Sequence, residues 1–197
     1  MAIDAHLDTS NGTRSYTDAT TAVRCLLEHV GEDPGREGLV DTPRRLVNAL
    51  VEMTGGYDQD PVAVLGTTFT DERYDEMVLV TDVPFSSLCE HHVLPFTGTA
   101  TIGYIPAGGK IVGLSKLPRL LHVFARRLQV QERLTTQVAD TINQVLSPMG
   151  VGVVVTAHHT CMGLRGVRSP GTMVTSALLG KFRDDPMIRD EFLRLAS

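Results

Sequence analysis

Thr97-Gly98-Thr99-Ala100-Thr101-Ile102-Gly103-Tyr104-Ile105 is the stretch from which the fold class follows. Thr97, Thr99 and Thr101 alternate with Gly98, Ala100 and Ile102, the period of two that a half-buried strand imposes on its faces. Pro106 with Gly108 and Gly109 ends it in a turn. Upstream, residues 77–83 predict a second strand, broken at Pro84, which has no backbone N–H for a ladder. Downstream the period changes. Leu117, Leu121, Phe124 and Leu128 share one face of a helix that Ser115 can cap, with Pro118 in its first turn. Val130, Leu134, Val138, Ile142 and Val145 predict a second helix, ended by Pro148 and Gly150. Val151, Val153 and Val155 return to a strand; a last strand over 167–177 and a terminal helix over 183–195 follow. Strands, a helix pair and strands again predict an α+β fold with the helices packed on one face of the sheet.

Ahead of this lies a helical segment. Ala22, Val23, Leu26, Leu27 and Val30 are spaced as a helix that Gly31 stops, with Cys25 expected in its core. Asp41-Thr42-Pro43 starts another, carrying Leu46, Val47, Leu50 and Val51 on one face until Gly55-Gly56. The small, polar residues 1–15, with Asn11-Gly12 as a turn, predict disorder. The expected organisation is a disordered terminus over 1–15, a helical extension over 16–60 and a main domain over 61–197.

Composition removes several functions. A net charge of -5 argues against a nucleic-acid binder held by bulk electrostatics. There is no apolar run of about eighteen residues to span a membrane, and the first fifteen residues lack the basic-then-apolar order of a signal peptide. Three cysteines cannot pair completely, which fits reduced thiols and a cytoplasmic location.

Cys89-Glu90-His91-His92, answered far along the chain by His159-Thr160-Cys161, carries the chemistry. Cys89, His92 and Cys161 offer two thiolates and an imidazole, a donor set that suits Zn²⁺. Three protein ligands leave a tetrahedral metal one open position, and a metal so held lowers the pKa of bound water from 15.7 to about 7. His91 and His159 then stand beside a nucleophile generator, and the chain reads as a hydrolase. A structural zinc with His159 as fourth ligand is the alternative. The gathering of His91, His92, His158 and His159 against two of the three cysteines favours the catalytic metal.

Taken together and in order, several motifs resemble the GTP cyclohydrolase I family: Cys89 to His92, Gly113-Leu114-Ser115-Lys116, Gln129-Val130-Gln131-Glu132-Arg133-Leu134, His159-Thr160-Cys161-Met162 and Arg165-Gly166-Val167-Arg168. The resemblance runs from about Asp18 to the end. It implies the tunnelling fold, an antiparallel four-stranded sheet with two helices on one face, assembled into a homodecamer. It also implies hydrolysis and ring rearrangement of GTP to formate and 7,8-dihydroneopterin triphosphate, the first step towards pterins and tetrahydrofolate. By the same resemblance Cys89, His92 and Cys161 hold zinc, and His91 and His159 transfer protons. Gln131 and Glu132 read guanine, Ser115 serves the ribose steps, and Lys116, Arg119, Arg165 and Arg45 hold the triphosphate.

Elementary chemistry agrees with these roles. An imidazole with an ordinary pKa near 6.5 can move protons near neutrality. A carboxylate can accept two hydrogen bonds from the guanine edge, and arginine can grip phosphate bidentately. Two rivals remain. A nitrile reductase of the same fold would use a nucleophilic cysteine and a nicotinamide in place of zinc. A zinc-stabilised binding module would close the metal with four ligands and leave His91, Ser115, Lys116 and Glu132 without a purpose. Unpaired edges of a four-stranded sheet, and cations spread from Arg45 to Arg165, point to a site shared between subunits.

Overall fold

Local signals set the first helices. The computed structural model describes residues 15–66, 68–69 and 74–196; the expected disorder of residues 1–15 lies, except for Ser15, outside them. Ser15 accepts from the Asp18 N–H, and the Asp18 carboxylate accepts from the Ser15 N–H, a reciprocal cap that starts α1 (Tyr16–His29). Helix α2 (Thr42–Met53) follows, and the Tyr16 hydroxyl donates to Asn48 Oδ1 at 2.7 Å. Cys25 is exposed, contrary to its expected place in a core, as are Leu26 and Val30; Val23 is the buried residue of α1. The reason is phase: 23 and 25 lie about 200° apart on a helix, so a face centred on one excludes the other. The chain divides into two compact units, 1–52 and 53–197.

The second unit opens with a 3₁₀ turn (Gly55–Asp58), then α3 (Pro61–Leu65) and the two-residue β1 (Thr68–Phe69), which pairs with β4 (Ile111–Val112). Among the described residues its main sheet has five strands in the order β5-β2-β3-β6-β7. Four are long and antiparallel: β2 (Val78–Cys89), β3 (Leu94–Ile105), β6 (Gly150–His159) and β7 (Thr172–Gly180). The fifth, β5 (Leu128–Gln129), runs parallel to the end of β2 and was expected to be helix at Leu128. Nor does Pro84 break its strand. It pairs with Thr99 inside β2, whose far side, among the described residues, carries β5 at Leu88 and Cys89 alone. A proline on an edge sacrifices no ladder bond. The irregularity falls earlier, between Val80 and Val83, where Asp82 adopts φ 53° and the register shifts.

Helices α4 (Lys116–Ala125) and α5 (Gln131–Leu146) cover one face, with Leu117, Leu121, Leu134, Val138 and Ile142 packed against Phe96, Ile102, Val153 and Val155. Alternation sends Val154 to the other face, where Phe182 and Phe192 of α7 (Lys181–Asp184) and α8 (Pro186–Leu195) receive it. The sheet therefore carries its helix pair on one face, as expected, and two further short helices on the opposite face. The expected terminal helix is split at Asp185, whose side chain caps α8.

Candidate metal and active site

Two strand ends meet at the site. Register pairs Cys89 with Leu94 and Phe96 with His159, so the last residue of β2 and the last of β6 flank the start of β3. Residues 90–93 form the connection between β2 and β3, closed by the N–H groups of His92 and Val93 donating to the Cys89 carbonyl. Val93 takes φ 55°, a left-handed conformation that a β-branched residue adopts at a cost. That turn swings the His92 imidazole back over Cys89, with Nδ1 3.8 Å from Sγ. After β6 the chain coils into α6 (Thr160–Gly163), which delivers Cys161. The Thr160 hydroxyl donates to the Pro95 carbonyl and holds this coil against β3.

Cys89, His92 and Cys161 thus present ligand atoms that all lie within 4.8 Å of one another. Tetrahedral zinc with bonds of about 2.0–2.3 Å requires ligand atoms about 3.5–3.8 Å apart. The set fits such a cation with small side-chain adjustments. Burial first, and then the Cys89 thiol beside it, push the Cys161 thiol above its ordinary value, while Arg165 pulls it down. A divalent cation reverses that tendency because it stabilises both thiolates.

His91 and His159, the two expected proton carriers, occupy different settings. His91 is mostly exposed, with Nδ1 3.8 Å from the Cys89 sulfur. His159 stacks on the buried ring of Phe96 at 4.5 Å and 6°, and its Nε2 lies 2.8 Å from Gln131 Oε1. Burial lowers the His159 imidazole below its usual value, and the Glu132 carboxylate partly restores it. Glu132 is exposed at the first turn of α5; Gln131 beside it is 1% exposed, with its amide committed to protein partners. Arg165 reaches the site, its Nη1 3.4 Å from His92 Nε2.

Ser115, Lys116 and Arg119 belong to another part of the second unit. Ser115 occupies the N-cap position of α4, but its hydroxyl makes no capping bond. Lys116 and Arg119 follow in the first turn. The far end of α4 is the end near the metal group, because Phe124 accepts from Gln129 and Gln129 pairs with Cys89. Ten residues of helix span about 15 Å, so Lys116 opens α4 about that length from the end that meets Gln129. Arg45 belongs to the first unit and is ion-paired with Asp41 at 3.2 Å. His158, read as structural, lies 3.5 Å from the Thr172 hydroxyl.

Sequence reading passed over Arg133 and Phe96. Arg133 grips both oxygens of Glu90, tying the hairpin that bears two ligands to the start of α5. That contact holds the Glu90 carboxyl below its ordinary range. Opposite charges in two separate motifs were the available signal. Phe96 had none, since an apolar residue in a strand reads as core whatever it stacks on.

The family model and the similar relatives agree with one another. The model of the family described as GTP cyclohydrolase I matches residues 19–197. Similar relatives include GTP cyclohydrolase 1 of Chlorobium phaeovibrioides, 56% identical over 88% of this chain and 78% of that one. GTP cyclohydrolase 1 of a Geobacillus species is 50% identical over 92% of this chain and 96% of its own. Among solved structures, an apo archaeosine synthase QueF-Like aligns with 51% of this chain and 92% of that one, at 15% identity and TM-score 0.37, too low to carry an argument. A match across nearly the whole described chain and identities at or above half place the protein as an enzyme of the GTP cyclohydrolase I family.

Proposed function

We propose that the protein hydrolyses the guanine imidazole ring of GTP and recloses the product as 7,8-dihydroneopterin triphosphate. One water is consumed overall, and carbon 8 leaves as formate. The observation that carries this reading is the convergence of Cys89, His92 and Cys161 beside His159, in a chain of this family. In this reading the ion is zinc, matched by a sulfur-rich donor set. Zinc bound there supplies Lewis acidity and activates water at neutral pH.

The chain's own residues supply the rest. Glu132, at the lip beside His159, accepts from the ring N–H and amino group of guanine, a pair adenine lacks. That docks the imidazole portion of the base towards the metal group. His91, beside the Cys89 sulfur, and His159, held by Gln131, exchange protons with the ring nitrogens as the ring opens. Ser115, whose hydroxyl is not spent on a cap, serves the ribose rearrangement. Arg165, Lys116, Arg119 and Arg45 carry the charge that a triphosphate requires.

Lys116 and Arg119 lie at the end of α4 opposite the one that meets Gln129 and Cys89, which supports a site completed by a neighbouring copy. The sheet offers the means. Among the described residues, β7 pairs on one side only, and β2 has no partner on its outer side from Val78 to Ser87. Joining such edges buries both and closes a ring. Two stacked rings of five give the homodecamer of this reading. No helix among the described residues is long and apolar enough to cross a membrane. The test is incubation of the zinc-loaded protein with GTP, following formate and, after oxidation, pterin fluorescence. Formate without pterin would reduce the proposal to ring opening alone, and neither product would refute it.

A further inference from the structure

Gln131 begins α5 but turns inward, and its hydrogen bonds have a fixed direction. Its amide nitrogen lies 3.0 Å from the Val155 carbonyl oxygen, 3.0 Å from that of Met173 and 3.2 Å from the Thr175 hydroxyl oxygen. Main-chain carbonyls only accept. The nitrogen must therefore face β6 and β7, since a flipped amide would set oxygen against two oxygens. The hydroxyls agree. Thr135 donates to the Gln131 main-chain carbonyl at 2.7 Å, so across the 2.6 Å contact between the two threonine hydroxyls Thr175 donates to Thr135 and keeps a lone pair for the amide.

With the nitrogen so placed, Oε1 points to His159 Nε2 at 2.8 Å. An amide oxygen also only accepts, so Nε2 carries a hydrogen. A neutral imidazole has one N–H, and its lone pair is then on Nδ1. Phe96, stacked on one face of the ring at 4.5 Å, opposes its rotation. We propose that Gln131 is a positioning residue: it locks His159 in the Nε2–H tautomer, so that His159 exchanges protons through Nδ1, and it does not itself touch guanine.

The inference rests on the proposed reading of His159 as a proton carrier, but its first test does not need turnover. Magic-angle-spinning ¹⁵N spectra of the zinc-loaded, histidine-labelled protein report which ring nitrogen bears hydrogen, and a His159→Asn sample identifies the His159 signals. The expected spectrum has a protonated Nε2 and an unprotonated Nδ1; the reverse overturns the lock. The second test is Gln131→Met, close to the native side chain in volume but without its polar ends. The His159 signals should become a mixture of tautomers, and kcat should fall by about 10²–10⁴, the range that a misplaced histidine proton costs elsewhere. KM for GTP should stay within about threefold. A raised KM with unchanged kcat would instead make Gln131 a guanine reader and overturn the proposal. Should the variant fail to fold, the wild-type spectrum still decides. Should the protein make no formate from GTP, the functional reading fails while the tautomer stands or falls by its own spectrum.

Discussion

Gly98 is where packing and site are most tightly joined. A Cβ built on it would lie 1.9 Å from the Thr156 carbonyl oxygen and 2.7 Å from the Ala157 Cα. Both obstacles are backbone, so no rotamer relieves them. To reach even 3.0 Å, which real Cβ atoms respect, β3 and β6 must part by about 1 Å at this register. Two or three ladder hydrogen bonds would lengthen beyond use, at about 0.5–1.5 kcal/mol each. Gly98→Ala is expected to cost about 2–4 kcal/mol, a large share of the 5–15 kcal/mol typical of a domain. The damage should also reach the metal group, because Phe96 and His159 pair only two residues along the same ladder. Urea unfolding at fixed protein concentration, with metal analysis of the folded fraction, measures both effects. Gly163→Ala is the control: its added Cβ meets Pro170 no closer than 3.8 Å, and stability should change by less than about 1 kcal/mol. A Gly98→Ala protein within about 0.5 kcal/mol of wild type, with full metal content, would refute the close approach as a determinant of this site.

Replacing Cys89 or Cys161 with serine should remove zinc, read by metal analysis, and abolish turnover, whereas His91→Ala should keep zinc and lose about 10² or more in kcat. Mixed oligomers of Cys89→Ser and Lys116→Ala chains should regain activity if a neighbouring copy completes the site; mixtures of Cys89→Ser and Glu132→Ala should not, because Glu132 acts on the His159 of its own chain. Burial raises the Tyr104 phenol above its ordinary value, although its oxygen accepts the Val112 N–H at 3.0 Å. Its contribution is whole below the unfolded phenol value near 10 and is lost as pH rises through the higher folded one. Tyr104→Phe should therefore cost about 1 kcal/mol at neutral pH and flatten the alkaline fall in stability, read from urea midpoints between about pH 8 and 11.

What the sequence determined by itself is local and periodic. The alternation from Thr97 to Ile105 and the helical spacing from Leu134 to Val145 gave an α+β order because each element's exposed and buried faces are written into its own residues. The gathering of ligand types at Cys89–His92 and Cys161 was likewise visible, since a donor set is a matter of residue identity. Tertiary structure alone decided the rest. Pro84 is tolerated because no described strand pairs with β2 on that side there, Leu128 becomes a strand because Cys89 lies beside Gln129, and Arg133 finds Glu90 across two motifs. Gln131 shows the difference most clearly. One residue of helical phase separates it from exposed Glu132, and only the register of β6 and β7 beneath it supplies the carbonyls that turn its amide towards His159. A side chain's neighbours across strands are set by register, and register is a property of the packed sheet that no single segment contains.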